Sequence, residues 1–235
     1  MPHPFAGMVT SPRCEGPTLV SHHQLAHLRR AAKLKRVFPR VYAHIAGPRR
    51  DQAWTDLAID YFADGLGHEP GLLGRAAGFA AFLARNRRAR ELPEWLPALA
   101  DLEWWLSAVR AAPDDPTNPH TGSLRLSQPA ELRPYAYDVV HWLKRPAASR
   151  PEEPEAEAIV ALVWRDATQA ACVRAVTGRE SRLLSAIRQE LRPIGGWARW
   201  LGLTPDELDA QLATFRAAGV VVGDPHAGLT DLGDA

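Results

Sequence analysis

Cysteine is nearly absent from this chain. Cys14 and Cys172 are the only two, too few for a disulfide framework and too far apart for a CxxC metal or redox site, so both are expected to be free thiols. Long apolar runs are missing as well. No stretch approaches the roughly 18 uninterrupted apolar residues of a membrane-spanning helix. Residues 1–20 carry Pro, Arg and Glu where a signal peptide needs an apolar core, so the expectation is a cytoplasmic protein with no membrane partner. There is no GxSxG elbow, no glycine-rich phosphate loop and no HExxH, and Ser181 and Ser185 have no histidine within local reach. An active site of its own is therefore not expected, nor a cofactor held by this chain. An excess of one charge is also lacking, since 28 basic and 27 acidic residues give a net charge of +1. Divided at residue 128, however, the front has 16 basic and 12 acidic residues, a net +4, and the back 12 and 15, a net −3.

What is present is patterning. At 235 residues and 46% hydrophobic, the chain can bury a substantial core. Residues 1–20 hold prolines and little periodicity, and read as a flexible arm. Helical spacing begins at Ser21, with Leu25, Leu28 and Ala32 on one face until Phe38-Pro39 interrupts it. Trp54, Leu57, Ala58 and Tyr61 repeat the stripe, followed by Leu72, Ala76, Phe79 and Leu83, then Leu99, Leu102, Leu106 and Val109. Residues 21–112 are thus expected to form a helical bundle, and the Pro-, Asp- and Asn-rich residues 113–129 a linker.

From residue 130 to 235 the period shifts. Tyr135, Tyr137, Val139, His141 and Leu143 alternate with their neighbours as a half-buried strand, and residues 159–166 and 170–177 read as a hairpin joined by a short turn. Helical spacing returns at Leu183, Leu184, Ile187 and Leu191. A Trp-rich element over 194–201 follows, then a helix with Thr204 as N-cap and Pro205 at its first position, then a short strand at 220–222. The predicted class is α+β: a helical bundle, a three-stranded antiparallel sheet and a winged helix-turn-helix. A winged helix most commonly binds DNA, so a transcriptional regulator is the alternative reading. Asp206, Glu207 and Asp209 at the start of the third helix, with Arg216 the only cation, carry the wrong sign for it, and no nucleic acid is expected as partner.

Other candidates for chemistry have plain readings. His22, His23 and His27 cluster, and His23 and His27 share a helix face at metal-ligand spacing, but no carboxylate or cysteine completes a set. His141 reads as a hydrogen-bonded sheet histidine. Asp56, Asp60 and Asp64 form an acidic stripe, open either to solvent or to a basic partner. Eight tryptophans are many for this length. Trp104, Trp105, Trp197 and Trp200 cannot all enter small cores, and exposed aromatics suit a protein interface. The clusters at 33–36 and 85–90, including Arg87 and Arg88, are solvated faces or contacts for an acidic partner.

A three-stranded meander ahead of a winged helix resembles the precursor-peptide recognition elements of peptide natural-product pathways. In the front half, Phe38-Pro39 with Val41 and Ile45, the run AGFAAFL at 77–83 and PEWLPALADLEWW at 93–105, with Leu102-Glu103-Trp104, resemble the helical domain of small proteins encoded beside multinuclear-iron TIM-barrel enzymes. Together, over about residues 24–224, the chain resembles the MbnC/TglI-like partner proteins, whose front domain is HvfC/BufC-like. The resemblance implies a noncatalytic subunit in a heterodimer with an MbnB/TglH-like iron oxidase. It would bind the leader of a ribosomally made precursor and present that peptide's cysteine for oxazolone and thioamide formation or for carbon excision. The iron would belong to the partner. The leader would add a strand to the sheet edge at Ala170, Cys172, Val173, Arg174 and Val176, facing Leu208, Gln211, Leu212, Phe215 and Arg216, with Arg174 and Arg216 placed to pair with leader acids. Trp104, Trp105, Arg87 and Arg88 are the expected contacts with the enzyme.

Overall fold

The computed structural model describes residues 22–46, 50–67, 69–113, 124–189 and 196–223. The arm expected at 1–20, Cys14, the His22 and His23 side chains and Leu191 lie outside the described residues. The front half is helical: α1 (His22–Val37), α2 (Pro39–Ile45), α3 (Arg50–Ala63), α4 (Gly71–Ala76), α5 (Phe79–Asn86) and α6 (Leu96–Ala111). Pro39 occupies the first turn of α2, where no amide bond is lost, so Phe38-Pro39 separates two helices without a loop. Trp54, Tyr61, Phe38, Phe79 and Phe82 are essentially fully buried and meet mostly edge to face, as at Tyr61 and Phe79, with centroids 5.2 Å apart.

The back half begins with β1 (Arg125–Leu126) and β2 (Glu131–Tyr135), then α7 (Val139–Lys144), β3 (Ile159–Arg165) and β4 (Ala171–Val176). It ends with α8 (Gly178–Arg188), α9 (Trp197–Leu201), α10 (Pro205–Ala217) and β5 (Val221–Val222). The three-stranded sheet is antiparallel in the order β2-β3-β4, and β1 pairs with β5 in a separate two-stranded ribbon. The protein is therefore α+β. Arg125 and Leu126 fall within the stretch read as linker and form one side of that ribbon.

The expectation of a strand through Tyr135, Tyr137, Val139, His141 and Leu143 is corrected. The strand is Glu131–Tyr135, and residues 139–144 are a helix. Asp138 decides this: its Oδ1 accepts the His141 amide at 2.9 Å, an N-cap bond that starts a turn. The apolar residues also fit i, i+3 spacing, with Val139 and Trp142 both buried. His141 is accordingly not a sheet histidine. Its Nδ1 lies 2.5 Å from Asp138 Oδ2 at the start of α7.

The sheet has a core on each face. Ala161 and Val163 of β3, with Tyr135 of β2, join the cluster containing the helical bundle and α7. Leu162, Trp164 and Val176 join the cluster formed with α8, α9 and α10. One strand thus supplies alternate residues to two cores, as its period of two requires. An Arg133–Asp101 pair ties the sheet to α6, with Nε to Oδ2 and Nη2 to Oδ1 both at 3.0 Å, and Tyr135 adds its hydroxyl to Oδ2 at 2.9 Å. Burial and the adjacent Asp101 carboxylate push the Tyr135 phenol well above its ordinary pKa, so it remains a donor.

Candidate functional site

The site is built from the β3-β4 hairpin. Its turn is made by Asp166, whose carbonyl accepts the Gln169 amide and whose amide donates to Ala170 O, both at 3.0 Å. Gln169 takes a positive φ of 67°. The Asp166 Oδ1 accepts from the Thr168 amide, the Thr168 hydroxyl and the Ala170 amide at 2.9, 2.7 and 3.0 Å. Those bonds hold the carboxyl below its ordinary pKa, the Thr168 hydroxyl contributing most.

The Asp166–Ala170 bond also sets which backbone groups of β4 face outward. Pairing runs Arg165 to Ala171, Trp164 to Cys172, Val163 to Val173 and Leu162 to Arg174. Hydrogen-bonded and non-bonded pairs alternate in an antiparallel ladder, so Cys172, Arg174 and Val176 turn their amides and carbonyls to β3. Ala171, Val173 and Ala175 turn theirs away. Among the described residues no backbone group pairs with those three on the outer side. Arg174 Nη1 approaches Ala175 O at 3.4 Å. On β2 the same alternation leaves Leu132 and Pro134 facing outward, and Pro134 has no N–H to offer.

Helices flank the open edge. On the bundle side α6 and α7 pack against β4, and on the other side α8 follows directly from it. Thr177 and Glu180 form a capping box at the start of α8, and Glu180 Oε1 also accepts Arg174 Nη2 at 2.7 Å. The Arg174 guanidinium lies 5.3 Å from the Phe215 ring on α10. Arg174 is therefore already held by the protein itself. The Cys172 thiol is 3.5 Å from Asp166 Oδ2, and burial followed by that carboxylate pushes it above its ordinary pKa, the reverse of an activated thiolate.

The sequence-predicted residues divide. Cys172, Val173 and Arg174 are half-buried on the edge strand, and Ala170 is exposed in the turn. Val176, Leu208, Leu212 and Phe215 are buried at 9%, 4%, 0% and 1% exposure in the second core, where they set the spacing of β4 and α10 instead of offering surface. Gln211 and Arg216 are half-buried on α10. The Arg216 Nε and Nη2 are enclosed and have no hydrogen-bond partner among the described residues. No protein-family model matches the chain, and no curated protein matches it. Among the described residues no group of three His, Cys, Asp or Glu side chains is placed to hold a metal ion, and no described helix is long and apolar enough to cross a membrane.

The other candidates are accounted for locally. Trp104 and Trp105 are half-buried and meet edge on at 4.9 Å. Trp104 donates to Leu73 O at 2.9 Å and Trp105 lies under Arg133. Trp197 is buried and Trp200 is 42% exposed. Arg87 pairs with Glu94, and Arg88 is exposed beside it. Within the acidic stripe, Asp56 bonds Gln52 and Asp60 pairs with Arg90. Sequence reasoning passed over Glu180, although Thr177-Gly-Arg-Glu180 is the capping-box signature, and Pro134, whose meaning needs the strand register.

Glu103, within the Leu-Glu-Trp run, is only 5% exposed. Its Oε1 accepts the Arg40 amide at 2.9 Å and its Oε2 the Val41 amide at 3.2 Å, so α6 caps the first turn of α2. Burial outweighs those bonds and raises its pKa to about 7.

Proposed function

We propose that the chain is a noncatalytic partner subunit that accepts the leader of a ribosomally made precursor peptide as an added strand on β4. It then presents the peptide's cysteine to an iron-dependent TIM-barrel oxidase. The observation that carries this reading is the outward row of Ala171, Val173 and Ala175 backbone groups on a strand with one neighbouring strand among the described residues. Such a row supplies main-chain bonds at strand spacing. The succession α8, α9, a turn through Gly202 at φ 65°, α10 and the β1-β5 ribbon supports the winged-helix assignment. Asp206, Glu207 and Asp209 are all exposed at the start of α10, which weighs against that helix entering a DNA groove.

The test is co-expression with an iron-dependent TIM-barrel oxidase and a short cysteine-bearing precursor peptide from the same organism. A ternary complex is expected, and Val173→Pro should lose the peptide while keeping the enzyme. Absence of any complex with the iron protein, or unchanged peptide retention by the proline variant, would overturn the reading. A salt-dependent mobility shift on DNA would favour the regulator.

A further inference from the structure

The bundle carries a pocket of about 240 Å³ between α1, α3 and α4. Its walls include Leu34 and Phe62, 1% and 8% exposed, and the half-buried Leu72. The cations Arg30, Lys33 and Arg75 also line it, and the Arg30 guanidinium lies 5.6 Å from the Phe62 ring centre. None of the three cations makes a side-chain hydrogen bond or ion pair among the described residues. Asp51 pairs with Lys35 and Asp60 with Arg90, while Glu69, beside Gly74 on α4, is exposed and outside the lining.

A second arginine-lined depression, with Arg36, Arg40 and Arg110 around it, provides the contrast. That one contains its own carboxyl, Glu103, whereas the α1–α3–α4 pocket has no acidic residue in its lining. Three like charges around one cavity repel each other, and an anion placed among them relieves that cost. The apolar wall narrows the choice: Leu34 and Phe62 are already nearly covered, and the half-buried Leu72 offers apolar surface that a fully hydrated inorganic anion would leave exposed. The volume is below the roughly 300–1,000 Å³ of drug-sized sites and suits one residue-sized group.

We propose that this pocket binds a carboxylate carried on an apolar body, a chemistry shared by small organic acids and by the C-terminal residue of a peptide. The pocket is formed by helices other than those flanking β4, so the proposal does not rest on the leader-binding reading. The test is calorimetric titration of the full chain with N-acetylphenylalanine, its primary amide, and an octapeptide ending in phenylalanine. Saturable binding of at least one acid is expected, with a Kd at or below about 1 mM and at least tenfold weaker binding of the amide. Lys33→Glu and Arg30→Glu, both at exposed positions of α1, should each weaken the acid at least tenfold with an unchanged melting temperature. Tighter binding of the peptide than of the free acid assigns the site to a chain terminus, and equal binding assigns it to a small acid. Equal affinity for acid and amide, no saturable binding of either acid, or full affinity in both charge-reversed variants would overturn the proposal.

Discussion

Along β2 the outward backbone positions are Leu132 and Pro134, whereas along β4 they are Ala171, Val173 and Ala175. Both strands border the same sheet and pair with the same neighbour. Pro134 removes a donor from the first border, and the Arg133–Asp101–Tyr135 cluster fastens that border to α6. Proteins commonly protect exposed edges in such ways, because an unguarded edge recruits other strands. No proline interrupts the second border, and its one cation, Arg174, is drawn to Glu180 and Phe215. The difference teaches that an open edge is informative only beside a closed one: the sheet is guarded where pairing would be unwanted and left free on one side.

The sharpest way to break this comparison is Val173→Pro, which deletes an outward N–H without touching the ladder to β3. If the proposed leader binding holds, a fluorescently labelled leader should bind at least a hundredfold more weakly, about 3 kcal/mol, with little change in the unfolding midpoint. Retained affinity would mean that the border is not where the peptide lies. Of comparable size is a pH effect on α6, the helix backing β3 and β4. The Glu103 carboxyl rises from 4.5 to about 7 on folding. The folded state then holds a proton that the unfolded chain has already released between those values. This contribution favours the folded state most below pH 4.5 and is lost as pH rises to about 7, by on the order of 3 kcal/mol. Denaturant melts of Glu103→Gln against the parent, from pH 4.5 to 8, should show that slope flattened.

Arg133→Ala should cost about 2 kcal/mol by leaving Asp101 with Tyr135 alone, and it should loosen the guarded border before the open one in hydrogen exchange. Thr177→Ala should cost about 1 kcal/mol through the lost cap. Glu180 Oε2 keeps the Thr177 amide and Oε1 keeps Arg174, so denaturant melts should show the loss of the cap alone. The smallest effect on stability, under about 1 kcal/mol, is expected for Pro134→Val. That variant restores an edge donor, so concentration-dependent self-association in sedimentation should exceed that of the parent.

Elements with strong periodicity were legible from the residues alone. Trp54, Leu57, Ala58 and Tyr61 all face the core of α3, and Thr204-Pro205 opens α10 as its chemistry demands. The hairpin at 159–176 was equally plain, because β-branched residues on both sides of an Asp-x-Thr turn leave few alternatives. The segment at 135–143 differs from the expected strand because its short apolar alternation fits two periods, and the Asp138 cap distinguishes them. The candidate site was half visible. An alternating pattern names a strand but not its border, and the burial of Leu208, Leu212 and Phe215 follows from α10 packing on the sheet, which helical spacing alone does not orient. The basic pocket on the bundle was invisible as a unit, since Arg30 and Lys33 of α1 meet Arg75 of α4 only once the helices pack.

The central strand, with Val163 in one core and Leu162 in the other, has a consequence for how the molecule can be divided. Scission between residues 113 and 124 would give two fragments, each stripped of the counterpart that shields one of its apolar surfaces. Such fragments are expected to recover native structure by complementation on mixing, like a split reporter, and to precipitate when kept apart.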